Sequence, residues 1–203
     1  MCRTEVADAS SPLIDDFEDG NNELLPSGNR HGSWYVSNDG TGIQAPAPTL
    51  DSDGQHPFLL SSPGSPQSPQ FALRTVGWGF TGWGAFVSVN LNAPDNAPCA
   101  YDVSAFKGLK FQAKGSGNLR AGIGTLATTQ VANGGQCTGN ECSDFGAAVQ
   151  LTDDWREVSI AFSDLNQPSW ATPAEWSATD AVRLTYWVEQ GDFDYWIDDV
   201  QFY

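Results

Sequence analysis

The feature that most constrains this fold is a two-residue alternation of apolar and polar side chains that recurs along the chain. In one segment Leu109, Phe111 and Ala113 alternate with two lysines and a glutamine. Successive side chains of a β-strand point to opposite faces, so the pattern predicts strands with one buried and one solvated face. It predicts them at residues 13–18, 33–37, 71–76, 84–91, 107–114, 118–125, 145–151, 155–162, 181–188 and 193–202.

Short, half-buried strands joined by turn-rich loops are typical of two packed antiparallel sheets. The composition agrees, because 12% of the residues are aromatic and long periodic stretches of helix-forming residues are missing. A chain of 203 residues is long enough for one domain with a full hydrophobic core. We therefore predict an all-β fold, a single-domain two-sheet antiparallel β-sandwich (jelly roll) over residues 13–203, preceded by a flexible tether at residues 1–12.

The charge of the chain limits its partners. There are 25 Asp and Glu residues against 9 Lys and Arg residues, which gives a net charge of −16. Such a surface repels the phosphates of nucleic acids and the headgroups of anionic lipids. No apolar run approaches the roughly 18 residues that a membrane-spanning helix needs. We expect a monomer with no nucleic-acid partner and no transmembrane segment, whose ligand is neutral or a cation.

Residues 77–82 contain a glycine pattern, Gly77-x-Gly79-x-x-Gly82, that has the spacing of a dinucleotide-binding loop. That motif needs a helix after the third glycine, because the N-terminal amides of the helix bind the phosphates. Here the chain continues as WGAFVSVNL, which alternates like a strand. The glycines are better interpreted as a sharp turn that leaves Trp78 and Trp83 free to lie against something flat.

The four cysteines are Cys2, Cys99, Cys137 and Cys142. The short polar loop CTGNEC favours a disulfide between Cys137 and Cys142, and a bridge from Cys99 to one of them is the alternative. Cys2 directly follows Met1 and resembles the acylated first residue of a mature bacterial lipoprotein, and an ordinary exposed thiol on a frayed terminus is the alternative. Disulfides and a lipid anchor both predict an exported protein, either extracellular or a cell-surface lipoprotein.

Two acidic clusters lie near the ends of the chain, DDFEDG at residues 15–20 and DFDYWIDDV at residues 192–200. If the first and last strands are neighbours, each pair of carboxylates at about 4 Å would cost a few kcal/mol. Calcium, with about six to eight oxygen ligands, would relieve this repulsion. The step IDD also breaks the alternation, so Asp198 or Asp199 has to point toward the interior side. The clusters predict a structural Ca²⁺, and solvated acidic turns are the alternative.

Six motifs, in chain order, carry a family resemblance: LIDDFEDG, GSWYVSNDG, GFTGWGAFVSVNL, YDVSAFKGLKFQAKG, LTDDWREVSIAFSDL and FDYWIDDVQFY. Together they resemble galactose-binding-like jelly rolls, in particular bacterial carbohydrate-binding modules of families 11, 4 and 22 and similar exported domains common in myxobacteria. The resemblance implies glycan binding on a concave sheet face or at loop edges. It also implies a calcium ion held by Glu18 and Asp198, together with Asp16 and Asp199. The Pro-rich loop 61–70 and the cysteine loop depart from the pattern.

Glycan-contacting residues do not transfer through that resemblance, so the candidates come from side-chain chemistry. Sugar rings present flat C–H faces that pack on aromatic rings, and hydroxyls that suit planar donors and acceptors. The candidates are Trp78, Trp83, Trp170 and Trp187 for stacking, and Arg74, Gln112 and Arg120 for hydroxyls. A core or loop-plug role is the alternative for each tryptophan, and Trp155 and Trp196 are assigned to packing.

These observations predict an exported, calcium-stabilised module that binds a polysaccharide or oligosaccharide without cleaving it. The predicted glycan is neutral. Paired carboxylates are also the requirement of glycosidases, so a small jelly-roll glycoside hydrolase or polysaccharide lyase is one alternative. A surface structural or adhesion domain with buried tryptophans is the other. No catalytic residue is predicted.

Overall fold

The computed structural model describes residues 2–48, 59–94, 97–139 and 141–203. Within these ranges the chain forms fourteen β-strands and four short 3₁₀ helices. The strands are β1 (Glu5–Val6), β2 (Leu13–Asp15), β3 (Trp34–Asn38), β4 (Ile43–Ala45), β5 (Leu60–Ser61), β6 (Ala72–Phe80), β7 (Ala85–Asn90), β8 (Tyr101–Asp102), β9 (Gly108–Ser116), β10 (Leu119–Thr125), β11 (Phe145–Val149), β12 (Arg156–Ala161), β13 (Ala181–Val188) and β14 (Gly191–Phe202). The helices are Leu126–Thr128, Val131–Asn133, Phe162–Asp164 and Ala178–Asp180. None of these helices is long and apolar enough to cross a membrane.

The strands form two sheets that pack as a sandwich. The first sheet runs β3-β7-β13-β10-β11, with β8 and β1 attached beside the start of β13. The second sheet runs β12-β9-β14-β6-β4, with β2 paired to β14 and β5 paired to β6. Described strand pairs are antiparallel except for β1 with β8. The predicted antiparallel sandwich is confirmed, and each predicted strand overlaps an observed one.

The core lies between the two sheets and follows the alternation in the sequence. Leu109, Phe111 and Ala113 of β9 are buried against side chains from the first sheet. Tyr195 of β14 reaches across the core and donates a hydrogen bond from its hydroxyl to the Tyr186 carbonyl at 2.8 Å. Since one face of every long strand is used in this core, the other faces are left to water or to a ligand.

The two ends of the domain meet in the second sheet, as the acidic clusters predict. Val200 of β14 lies opposite Asp15 of β2, so the strands that carry the clusters are direct neighbours. Between Asp198 and Gln201 the register of β14 shifts, and Asp199 has a left-handed backbone with φ of 49°. This bulge is the physical form of the break in alternation at IDD.

The turn between β6 and β7 carries the chain from the second sheet to the first. No helix follows Gly82, because β7 begins at Ala85 in this described stretch. Gly84 has a φ of +87°, and a Cβ placed there would lie 2.0 Å from the Val188 carbonyl oxygen. The turn therefore requires glycine at this position for both conformational and steric reasons. Trp78 lies on β6 itself, rather than in the loop where the sequence predicts it.

Residues 2–12, which the sequence predicts as a flexible tether, are held against the sandwich. β1 pairs with β8, Ala7 is buried, and Cys2 forms a disulfide with Cys99. These contacts correct the prediction that this segment is a flexible tether. In this structure the Cys2 sulfur is occupied by that disulfide, and the lipoprotein prediction is not supported. The second disulfide joins Cys137 to Cys142, which confirms the predicted short loop.

Candidate functional site

A cleft of about 780 Å³ opens on the outer face of the first sheet. Its floor is built from outward side chains of neighbouring strands that lie in register. Phe86 of β7 lies opposite Trp187 of β13, and Trp187 lies opposite Arg120 of β10. Tyr35 of β3 extends this floor, with its ring centroid 6.2 Å from that of Phe86.

Two exposed tryptophans from connecting loops form the walls of the cleft. Trp83, from the β6–β7 turn, lies with its ring centroid 5.7 Å from that of Phe86. Trp170, from the β12–β13 connection, lies edge-on to Trp187 with their centroids 6.3 Å apart. Trp187 is fixed by a hydrogen bond from its Nε1 to the Trp83 carbonyl at 2.7 Å. The cleft thus presents aromatic rings that are held in place and remain open to solvent.

A hydrogen-bonded ion pair forms the polar end of the floor. Arg183 donates from Nη2 and Nε to the two carboxylate oxygens of Asp144, at 2.6 and 2.9 Å. The hydroxyls of Thr128 and Thr185 donate to the same two oxygens at 3.1 and 3.0 Å. Burial is the largest single influence on the pKa of Arg183 and lowers it, but the charges of Asp144 and Tyr35 and the hydrogen bonds to Asp144 together raise the pKa. Asp144 is therefore a fixed anchor of the floor, with both oxygens occupied.

Arg120, in the middle of the cleft, has unused hydrogen-bonding capacity. Its Nη2 donates to the carbonyl and side-chain oxygens of Asn166. Its Nε and Nη1 have no hydrogen-bond partner, and Arg120 forms no ion pair with a carboxylate, in the described part of the chain. Burial lowers the pKa of Arg120, although an arginine remains charged at neutral pH. Planar donors remain available beside the aromatic floor.

The cysteine loop closes another side of the cleft. Glu141, Cys142 and Ser143 line this side. The loop is tied to the Trp170 connection, since Thr172 donates its amide to the Glu141 carbonyl at 2.9 Å. The two loops that depart from the family pattern lie in different places. The cysteine loop borders the cleft, and the Pro-rich loop lies on the second sheet.

The structure brings four of the seven predicted ligand-binding residues together in this cleft: Trp83, Arg120, Trp170 and Trp187. The other three lie on the outer side of the second sheet. Arg74 is occupied by a bidentate pair with Asp194, at 2.9 and 2.7 Å, and Gln112 is buried. Trp78 is exposed near the end of β6, where it pairs in register with Ile43 of β4.

Trp155 and Trp196, assigned to packing from sequence, pack on the surface of the second sheet rather than in the core. Their rings are edge-on, with centroids 6.4 Å apart. The Lys114 ammonium lies 4.8 Å from the Trp155 ring and 4.5 Å from the Trp196 ring, and Arg74 lies 4.8 Å from the Trp196 ring. Cation–π contacts with the protein's own side chains cover these rings.

The carboxylates of the last strand are enclosed by the Pro-rich loop. Asp198 is fully buried and accepts a hydrogen bond from the Ser65 amide at 2.7 Å. Burial raises the pKa of Asp198 to about 7, although that hydrogen bond acts in the opposite direction. Asp199 accepts hydrogen bonds from the hydroxyls of Ser65 and Ser68, both at 2.6 Å.

The carboxylates of the opening segment contact the other end of the same loop. Glu18 accepts hydrogen bonds from the amides of Gln70 and Phe71 at 2.8 and 3.0 Å. Asp16 accepts one from the Glu18 amide at 3.3 Å. Among the described residues, no group of three or more Asp, Glu, His or Cys side chains is arranged to hold a metal ion. Calcium binding by the four predicted ligands stays a prediction.

Sequence reasoning missed several residues of the cleft: Tyr35, Phe86, Asp144 and Arg183. The signal for three of them is the alternation itself, since they occupy outward positions of β3, β7 and β13. Outward aromatic and arginine residues on strands that also carry a core face are candidates for a binding site, as loop tryptophans are. Asp144 lies before β11, outside the strand pattern. Its role as an anchor of the cleft floor is seen only from its ion pair with Arg183.

Comparisons with known proteins agree on the type of domain. The family model described as carbohydrate binding domain 30 matches residues 27–203. No curated protein sequence matches the chain. One similar solved structure is a family 11 carbohydrate-binding module from Clostridium thermocellum in complex with a β-1,3-1,4-mixed-linked tetrasaccharide, 13% identical, with a TM-score of 0.55 and coverage of 94% of each chain.

A family 30 carbohydrate-binding module is 15% identical with a TM-score of 0.51, over 84% of this chain and 98% of that one. An exo-β-agarase is 12% identical with a TM-score of 0.51, over 95% of this chain and 25% of the agarase chain. At such low identities these structures show a shared fold. The resemblance in the sequence was to families 11, 4 and 22, and it did not include family 30.

Proposed function

The chain belongs to the carbohydrate binding domain 30 family, and we propose that its cleft on the first sheet binds a polysaccharide without cleaving it. The observation that carries this proposal is the grouping of Trp83, Trp170 and Trp187 around one cleft together with Arg120. These side chains come from separate strands and loops, so the fold brings them together.

Each group in the cleft has a part in recognising a sugar. Aromatic rings take the flat C–H faces of pyranose rings, which removes apolar area from water on both partners. The free donors of Arg120 suit hydroxyl oxygens, because a guanidinium offers several N–H groups in one plane. The Arg183–Asp144 pair keeps the floor rigid. A preorganised surface loses less entropy on binding than a mobile one.

The charges of the cleft favour a neutral ligand. Arg120 and Arg183 are balanced by Glu141 and Asp144 within the cleft, whereas the chain as a whole carries −16. A polyanionic glycan would be repelled by the rest of the surface, and a neutral one would not. Its affinity should accordingly change little with salt.

Binding without cleavage is supported by the hydrogen bonds of Asp144, the carboxylate at the polar end of the floor. A general acid needs an apolar environment that keeps it protonated. Asp144 instead accepts hydrogen bonds from Arg183, Thr128 and Thr185. These hydrogen bonds occupy both oxygens and fix the carboxylate as part of the scaffold.

We also propose that the protein is exported, on the support of two disulfides, Cys2–Cys99 and Cys137–Cys142. Disulfides persist in oxidising compartments and are rare in the cytosol. A calcium ion at the joined ends stays a separate proposal. Its support is that Glu18, Asp198 and Asp199 all contact the one Pro-rich loop, which keeps three carboxylates in the same region.

Isothermal titration against soluble polysaccharides tests the function. The panel contains a mixed-linkage β-1,3-1,4-glucan, a xylan and a mannan as neutral ligands, and polygalacturonate as an anionic control. We expect heat of binding for at least one neutral member, with an affinity that salt leaves nearly unchanged, and no new reducing ends after incubation. Silence across the neutral members would contradict the proposal, and release of reducing ends would favour the hydrolase alternative.

A further inference from the structure

The segment that carries Trp170 has no regular secondary structure of its own. Residues 167–177, within the connection between β12 and β13, belong to neither a strand nor a helix. The Ala171 amide donates to the Pro168 carbonyl at 3.0 Å and closes a turn that contains Trp170. Since these residues are not part of a sheet, the position of the exposed Trp170 ring depends on other contacts.

The cysteine loop supplies those contacts on both sides of Trp170. Gln167 donates from Nε2 to the Ser143 carbonyl at 2.8 Å, and the same nitrogen lies 3.2 Å from the Thr172 carbonyl oxygen. The Thr172 amide donates to the Glu141 carbonyl at 2.9 Å. Trp170 therefore lies between two residues that are each tied to the cysteine loop.

The ends of the cysteine loop are anchored to the cleft floor. The Cys137 amide donates to the Thr129 carbonyl at 2.9 Å, and the Thr129 hydroxyl accepts a hydrogen bond from Arg183 Nη1 at 2.8 Å. At the other end, Asp144 forms its ion pair with Arg183. The disulfide from Cys137 to Cys142 crosses the loop between these anchors, with a Cα–Cα distance of 6.1 Å. It restricts the residues whose carbonyls hold the Trp170 segment.

The two disulfides of the protein differ in what they contribute. Cys2 and Cys99 are 97 residues apart in sequence, whereas Cys137 and Cys142 are 5 residues apart. In the chain-entropy model, the constraint on the unfolded chain grows with the length of the closed loop. The short disulfide is therefore the weaker stabiliser of the fold, and its position on the cleft wall gives it a local role.

We propose that the Cys137–Cys142 disulfide is a positioning element for glycan binding, because it fixes the loop that holds Trp170 beside Trp187. This inference rests on the proposed function. With the disulfide in place, the Trp170 ring is held before the sugar arrives, so less conformational freedom is lost on binding. Without the disulfide, the ligand has to order the loop and the Trp170 segment, and the affinity falls although the fold persists.

Removal of each disulfide in turn tests this inference. Cys137→Ser combined with Cys142→Ser removes the short disulfide. Cys2→Ser combined with Cys99→Ser is the matched control, because that disulfide lies outside the lining of the cleft. Gln167→Ala is a second probe, which cuts one tie to the cysteine loop and keeps both disulfides. Each protein is titrated with the polysaccharide that binds best, and melting curves check that it is folded.

We expect loss of the short disulfide to weaken binding about fivefold, and Gln167→Ala to have an effect of the same order. Loss of the Cys2–Cys99 disulfide should lower the melting temperature more and leave the affinity unchanged. Both probes are then combined with Trp170→Ala. In that background neither should weaken binding further, since the ring that they position is gone.

Unchanged affinity without the short disulfide would overturn the inference, as would unchanged affinity in Trp170→Ala, while binding by the wild type leaves the proposed function in place. Equal losses on removal of either disulfide would show a general loosening of the fold and would overturn it too. So would a loss that persists in the Trp170→Ala background. If the double serine variant does not fold, Gln167→Ala carries the same prediction. Silence of the wild type across the neutral polysaccharides would instead overturn the proposed function itself.

Discussion

Two tryptophans that are nearly adjacent in sequence offer a direct test of where the ligand binds. Trp83 lines the cleft of the first sheet, and Trp78 lies near the end of β6 in the second sheet. Both are 46% exposed, so truncation to alanine removes comparable accessible area. The Trp187 Nε1 bond goes to the Trp83 carbonyl and survives in Trp83→Ala. The two variants therefore differ mainly in location.

The size of the effect follows from the exposed area. A tryptophan side chain has about 250 Å² of surface, so 46% exposure leaves roughly 115 Å² in contact with water. A sugar ring stacked on one face covers about half of this, and burial contributes about 25 cal/mol per Å². The loss in Trp83→Ala is then about 1.5 kcal/mol, which corresponds to about a tenfold weaker binding constant.

Isothermal titration with the polysaccharide that binds best gives both constants under the same conditions. We expect Trp83→Ala to bind about tenfold more weakly and Trp78→Ala to bind like the wild type. The reverse result would place the ligand on the second sheet. Equal and unchanged affinities for both variants would refute the idea that an exposed ring of this cleft contributes to binding.

Three further predictions concern stability. Arg30 is buried, has no carboxylate partner among the described residues, and donates hydrogen bonds to the carbonyls of Ser11 and Leu13. Arg30→Ala should therefore lower the unfolding free energy by about 3 kcal/mol in urea, whereas the exposed Arg3→Ala should change it little. Burial raises the pKa of Asp15 to about 7, against hydrogen bonds from the Phe17 amide and the Trp34 indole. Because its pKa in the unfolded chain is about 4, Asp15 contributes most stability below that pH and loses it as the pH rises to about 7. Melting temperatures should fall over this range, and less steeply in Asp15→Asn; equal slopes would contradict this. If calcium binds, EDTA should lower the melting temperature by several degrees and Asp198→Asn should remove the response, while an unchanged melting curve in EDTA would count against the ion.

Local pattern was enough for the strands and for their grouping into two sheets. The segment Leu109–Ala113 alternates without interruption, and a strand is the one regular structure in which that period puts all the apolar side chains on one side. The same argument located Trp187 on the polar face of β13. The meeting of the two ends was a condition of the calcium prediction, and the structure meets that condition because β2 and β14 are paired.

Contacts between distant residues could not be read in this way. The Cys2–Cys99 disulfide spans 97 residues, and no local signal connects the two positions. The Pro-rich loop looks like a plain surface loop in sequence, yet Ser65 and Ser68 donate hydrogen bonds to Asp198 and Asp199. Such partners depend on how the strands are ordered in space.

The sequence by itself determined that this chain forms a β-sandwich, because side-chain alternation acts over two residues and needs no knowledge of the rest of the molecule. Only the tertiary structure decided which aromatic residues share a surface. Trp78 and Trp83 are separated by a turn that moves the chain from one sheet to the other, so near neighbours in sequence face different sides of the domain. Trp83, Trp170 and Trp187 meet because strand pairing and loop packing bring separate segments to one cleft.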